Sequence, residues 1–191
     1  MKQISADGSH AFGNASCDAC HTRHTFSVKE AKQPQACQTC HMGFDHPQWE
    51  MYSASKHGVR ALLRQNGTLP ESTPAPTCQD CHMADGNHEV RTAWGFLAVK
   101  LPLSDDKDWA ADQATILQGL GVLDPAGKPT ARLDAVKAAD LARLTKDSWD
   151  AERAKMQKTC GNCHSAAFAA EQLKQGDDMI RQADRLMAEA I

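Results

Sequence analysis

The chain has 191 residues, with 21 basic against 24 acidic side chains and a formal net charge of −3, so it is one domain's worth of protein without the basic surplus that nucleic-acid binding requires. Only 5% of the residues are aromatic and the mean hydropathy is −0.52, too little apolar material for a conventional core of this length. The longest apolar run, 93–99, is far shorter than the roughly 18–20 residues of a membrane span, so no transmembrane segment is expected.

Taken from the N-terminus, Met1–Ser5 carries no apolar stretch that could act as a signal peptide, which implies either a removed signal or a piece of a longer product. Cys17-Asp-Ala-Cys20-His21 follows, with His24 three residues on, and only sixteen residues separate Cys20 from Cys37-Gln-Thr-Cys40-His41. His46-Pro47 reads as a helix start. If that helix runs to Lys56, His46 and His57 lie about 20° from eclipsed and about 16 Å apart along the axis, on one face but too far apart to serve one metal ion. Residues 68–77 are rich in Pro, Ser and Thr and read as an irregular connector. Cys78-Gln-Asp-Cys81-His82, His88 and the apolar patch 92–97 come next.

The segment from about Trp109 to Lys158 reads as helices. One runs from Trp109 to Leu120 and stops at Gly121; Leu133, Val136 and Leu141 form a partial helical stripe; Asp147 or Ser148 is expected to cap a helix leading to Cys160-Gly-Asn-Cys163-His164. Ser165 is expected to cap a last helix bearing Phe168 and Leu173, interrupted at Gly176, with Met179, Ile180, Ala183, Leu186 and Met187 continuing an apolar face that packs on the central array or on another subunit. No strand alternation is visible. The expected fold is mainly α: helices and loops wrapped around a central array, with little or no sheet.

All eight cysteines fall into one pattern, Cys-x-x-Cys-His, four times over, where chance predicts about 0.02 occurrences. Two thiols three positions apart can each form a thioether with one vinyl group of a porphyrin, and the next histidine then lies under the iron as proximal ligand. Zinc ribbons or short disulfides do not demand a histidine after every second cysteine. The motifs therefore predict four covalently bound haem c groups, held by Cys17, Cys20 and His21, by Cys37, Cys40 and His41, by Cys78, Cys81 and His82, and by Cys160, Cys163 and His164. The flat apolar macrocycles replace the missing aromatic side chains in the interior. Such attachment takes place outside the cytoplasm, so a periplasmic or extracellular location is expected.

Five histidines remain, His10, His24, His46, His57 and His88, for four distal positions. His24 and His88 lie too close in sequence to their own motifs to round the porphyrin edge, and each is expected to ligate a neighbouring haem. Methionine is the other distal candidate. Met42 and Met83, however, directly follow proximal histidines, so mostly bis-histidine ligation is expected.

The run from Cys37 through His46-Pro-Gln-Trp-Glu-Met-Tyr-Ser-Ala-Ser-Lys-His57-Gly58, preceded by Cys17-Asp-Ala-Cys-His-Thr-Arg-His-Thr-Phe-Ser27, resembles the hydroxylamine oxidoreductase family of multihaem cytochromes over roughly residues 10–97. The resemblance implies a largely helical protein, usually trimeric, that moves electrons between nitrogen compounds and other cytochromes. With four motifs instead of eight, the chain resembles the part that follows the family's catalytic five-coordinate haem. The family's oxidative members crosslink a tyrosine to that haem, and the only tyrosine here is Tyr52. Asp45 and His46 resemble the family's acid/base pair at the substrate pocket.

These readings describe a single tetrahaem cytochrome c domain over 1–191, with a haem-dense part at 10–97 and a helical part with the fourth haem at 105–191. Three functions are consistent with it: an electron carrier serving other redox proteins; an enzyme or enzyme subunit acting on hydroxylamine or nitrite, with Asp45 and His46 handling protons; or a homo-oligomer or filament unit in which His10 ligates a haem of the next subunit.

Overall fold

The computed structural model describes residues 2–4, 10–12, 17, 19–22, 24–44, 47–86, 88, 99–100, 103–138, 142–143 and 145–191. The patch 92–97, Leu141, Asp45 and His46 lie outside the described residues. The fold is mainly helical. Among the described residues the strands are a pair of three-residue strands, β1 (Lys2–Ile4) with β2 (His10–Phe12), and a parallel pair of two-residue strands, β3 (Val99–Lys100) with β4 (Ala142–Arg143). Two compact units are formed, Phe12–Arg91 and a second made of Lys2–Ala11 with Thr92–Ile191.

Among the described residues the first unit holds the α-helices α1 (Val28–Ala31), α2 (Gln35–Gln38), α3 (Gln48–Ala54), α4 (Lys56–Gln65) and α5 (Cys78–His82). The helix expected from Pro47 to Lys56 is two helices. Ser55 is extended (φ −76°, ψ 161°) and its hydroxyl accepts from Gly58 N, 3.1 Å away, so it ends α3 and caps α4. The serine side chain offers the α4 N-terminus a partner that a continuous helix would leave unused, which is the local competition that moves serine from helix interiors to caps. His57 therefore sits in the first turn of a new helix, and the continuous helix on which the eclipsed placement of His46 and His57 depends is not formed; His46 itself lies outside the described residues.

Residues 66–77 form the expected irregular connector. It is tied down by side chains of α3 and α4: Tyr52 OH donates to Pro76 O at 2.9 Å, Arg60 Nε to Pro74 O at 3.0 Å and Arg64 Nη1 to Thr73 O at 3.2 Å. Burial pushes the Tyr52 phenol well above its ordinary pKa, with the neighbouring Cys78 and Asp80 adding to the effect. It thus stays a hydrogen-bond donor at any working pH. Tyr52→Phe removes that bond and leaves the Pro76 carbonyl unpaired, and is expected to lower stability by about 1 kcal/mol, read as a small fall in the thermal midpoint of the haem-loaded protein.

In the second unit, α6 (Lys107–Gly119) and α8 (Lys146–Gly161) both pack on the long α9 (Ala166–Ala190), and α7 (Arg132–Ala138) contributes to the core. Leu117, Val122, Leu123 and Leu133 form that core, with Leu103 and Val136 against it. The chain turns out of α6 at Gly121, whose φ of +70° glycine adopts without strain. Polar links align α9 on its neighbours: Trp109 Nε1 donates to Asp184 at 2.7 Å, Arg185 pairs with Asp112 at 3.2 Å, and Arg153 pairs with Asp177 at 2.6 Å.

Two expectations are corrected here. The α8 cap is Thr145, whose hydroxyl accepts from Ser148 N at 3.0 Å, while Asp147 lies in the first turn. The last helix runs through Gly176 without a break; one interior glycine costs about 1 kcal/mol, which ion pairs such as Lys174–Asp178 and the packing on α6 and α8 outweigh. Met179, Leu186 and Met187 are 67%, 68% and 46% exposed, so the described part of the chain does not itself cover this apolar face of α9.

Candidate haem sites

Each pentad is one turn of helix. The His21, His41 and His164 amides donate to the Cys17, Cys37 and Cys160 carbonyls, each at 2.9 Å, and Cys78–His82 is α5 itself. On such a turn the first cysteine, the second cysteine three positions on and the histidine four positions on share one side. That is the arrangement a porphyrin needs for two thioethers and an axial imidazole. None of the eight cysteines is in a disulfide. Among the described residues no three His, Cys, Asp or Glu side chains converge as a zinc-ribbon ligand set would. The donor set fits haem c.

The first three motifs meet within the first unit. Cys37 and Cys78 are in side-chain hydrogen-bond contact; that bond and burial push the Cys37 thiol up, and the same bond lowers Cys78. Burial, with Cys37 and Cys40 nearby, raises Cys20. The third motif is docked by Gln79, which is 8% exposed and whose amide donates to the Ala31 and Gln33 carbonyls at 2.6 and 2.8 Å. A capping box fixes its entry, with Asp80 accepting from Thr77 N at 2.7 Å. A cleft of about 490 Å³ opens beside the first two motifs, lined by Cys20, Thr22, Glu30, Ala36 and Thr39 among others. The fourth motif belongs to the second unit, at the junction of α8 and α9.

Of the distal candidates, His24, His57 and His88 are all exposed. His10 lies in β2. Asp45 and His46 lie outside the described residues, but the loop that carries them is closed by Trp49 N donating to His41 O at 2.8 Å and Gly43 N donating to Glu50 Oε1 at 3.1 Å.

Sequence reasoning missed the group that organises the first motif. Glu30 Oε2 lies 2.6 and 3.1 Å from the Thr22 and Thr25 hydroxyls, and Ser27 caps α1 by accepting from Glu30 N at 3.3 Å. This brings Phe26 onto His21, ring centroids 4.9 Å apart and 6° from parallel. Phe26 holds φ at +45°, a left-handed conformation that costs a side-chain-bearing residue roughly 1–2 kcal/mol. His164 has an equivalent partner: Phe168, in the first turn of α9, stacks at 4.7 Å and 29°. The signal in the sequence was an aromatic residue four or five positions after a motif histidine.

Helical turns bearing two thiols and an imidazole, repeated four times in a mainly helical chain, define a c-type cytochrome. The comparisons agree. The family described as "seven times multi-haem cytochrome CxxCH" matches residues 5–110, a span that holds three of the four pentads, and the chain belongs to this multihaem cytochrome family, whose business is electron transfer. It is 32% identical over 200 aligned residues to a probable nitrite reductase-hydroxylamine oxidoreductase fusion protein of Kuenenia stuttgartiensis, an alignment that covers 91% of this chain and 22% of that relative. Among solved structures it is similar to a reducing HAO-like protein complex of the same organism (TM-score 0.60, 33% identity, 91% of this chain and 34% of that one). A hypothetical multiheme protein shares the fold (TM-score 0.58, 20% identity, 97% of this chain and 44% of that one). The chain thus spans about a fifth to under a half of the length of the relatives it matches. The resemblance to part of a hydroxylamine oxidoreductase-like protein is upheld.

Proposed function

We propose that the chain is a tetrahaem electron-transfer module of a larger hydroxylamine oxidoreductase-like assembly, working in the periplasm or outside the cell. The observation that carries this is the identical helical turn at all four pentads, three of them gathered in one unit with their cysteines in reach of one another. Bound haem supplies an iron that takes up and gives back one electron. The chain's part is to anchor each group through two cysteines, to supply His21, His41, His82 and His164 as proximal ligands, and to offer distal imidazoles from His10, His24, His46, His57 and His88. Gln79 keeps the third motif against the second, and short edge separations between groups are what electron transfer needs. Among the described residues no helix is long and apolar enough to cross a membrane, which suits a module that exchanges electrons with other redox proteins.

The fusion-protein relative carries two nitrogen-compound activities in its name, which favours a second reading, in which Asp45 and His46 serve protons at one open haem. The first test is haem quantification on the purified chain, with the reduced spectrum recorded before and after carbon monoxide. The expected result is four haems per chain and no shift, because every iron has two protein ligands. Fewer than four haems overturns the tetrahaem reading. A shift in about one haem of four would instead mark an open coordination site, with hydroxylamine and nitrite as the substrates to try and Asp45 and His46 as the residues to change.

A further inference from the structure

Two buried side-chain polar atoms among the described residues have no hydrogen-bond partner: Gln79 Oε1 and His21 Nδ1. The second is the more informative. A metal-ligating histidine nearly always donates from its free ring nitrogen to a carbonyl, a carboxylate or water, and that bond fixes the plane of the ring. At the first motif no group among the described residues accepts from Nδ1, and the Phe26 ring lies flat on the imidazole.

The cost of that contact shows that it is not incidental. Phe26 occupies a left-handed backbone conformation, yet the side chain so placed is 52% exposed. Packing against the described side chains therefore does not account for the strain, and strained residues of this kind persist where the surrounding structure over-determines them. The enforcing contacts are local: the Phe26 amide donates to Thr22 O at 2.8 Å, and Glu30 holds the Thr22 and Thr25 hydroxyls on either side of the turn. The fourth motif reaches the same stacked arrangement without strain. There Ser165 starts α9 at once, and its hydroxyl accepts from Phe168 N at 3.2 Å, so the helix carries the ring to His164. Two different backbone solutions deliver an aromatic ring to a motif histidine.

We infer that Phe26 is the positioning residue of the first haem, its stacked ring setting the plane of the His21 imidazole in place of the usual Nδ1 hydrogen bond. The inference rests on the reading of His21 as a haem ligand. The plane of an axial imidazole governs the anisotropy of the low-spin ferric signal, so the role has a spectroscopic readout that a purely structural residue would not move.

The test compares Phe26→Gly and Phe26→Tyr by electron paramagnetic resonance of the oxidised, haem-loaded protein. Glycine adopts a positive φ freely, so Phe26→Gly removes the ring while relieving the backbone strain. Tyrosine keeps the ring. The expected result is that one of the low-spin signals moves in Phe26→Gly, the others stay, and Phe26→Tyr matches the parent. A parental spectrum in Phe26→Gly at full haem content, or an equal shift in both variants, overturns the inference. If Phe26→Gly fails to mature, Phe26→Leu, which has apolar bulk without an aromatic face, is read against the same two outcomes. Peptide mass analysis of the parent checks separately for haem on Cys17 and Cys20, and its absence overturns the underlying assignment of His21 together with this inference.

Discussion

A chain produced in cells unable to attach haem is expected to lack stable tertiary structure across residues 12–91, while retaining part of its helical signal from α6, α8 and α9. The reason is what the first unit buries. Among its described residues the buried ones are Pro34, Gly58, Ala61, Ala75, Thr77 and Gln79, without a single large apolar side chain. Phe26, Val28, Met42, Phe44, Met51 and Val59 are all exposed. A buried methyl group returns about 0.8 kcal/mol, whereas ordering a residue costs about 1.5 kcal/mol, so two alanines cannot offset the ordering of this unit. The three macrocycles of this unit can, because they bring the apolar surface that the sequence withholds. The second unit has the small core of Leu117, Val122, Leu123 and Leu133 and ion pairs along α9, and is expected to be the more resistant part. Far-UV circular dichroism and limited proteolysis of haem-free and haem-loaded chain decide it: cleavage should spread over 12–91 and spare much of 103–191. A cooperative thermal transition of the haem-free chain, with the helix content of the loaded one, would sink the idea.

The parts of this architecture that were legible in the sequence are those with a local cause. Cys-x-x-Cys-His dictates a helical turn and its cofactor by spacing alone, Ser165 caps α9 as its position before a helical run implies, and the Pro-rich connector has no periodicity that a helix could use. The misreadings concern competition between neighbours. The break at Ser55 leaves no glycine or proline at the junction; it arises because Ser55 is a better cap for α4 than an interior residue of one long helix. Gly176 looked like a terminator because its intrinsic cost is visible in sequence, while the tertiary contacts of α9 that outweigh it are not. The spacing of Met179, Leu186 and Met187 reports an apolar face on α9 but not what lies opposite it, and within the described chain these side chains are exposed. At the candidate sites, the motif residues were legible and the groups that hold them in place were not. Glu30 reaches Thr22 from eight residues away and Gln79 reaches Ala31 from forty-eight, contacts that only the folded chain creates.

Gly58→Ala is expected to be the most damaging conservative change in the first unit. A Cβ at this position would overlap the Tyr52 carbonyl, coming to 2.6 Å from its carbon and 2.8 Å from Ser53 Cα. All of these atoms are backbone of α3, so no side chain can turn aside. Alanine would gain up to about 1 kcal/mol in helix propensity, but overpacking of this kind costs about 1–3 kcal/mol and sometimes more. With backbone on both sides the clash wins, and a net loss of about 2 kcal/mol, roughly 10 °C in the thermal midpoint for a unit of this size, is expected. The change also reaches function, because relief requires α3 and α4 to separate at the Ser55 corner. His57 stands in the turn that would move, and the Ser55 hydroxyl caps that turn through Gly58 N itself. If His57 is an axial ligand, Gly58→Ala should open one iron to carbon monoxide where the parent binds none, alongside the fall in midpoint. A variant with the parental midpoint would show that α3 and α4 do not approach as closely as Gly58 allows; a lowered midpoint with no carbon monoxide binding would remove His57 from the set of distal ligands.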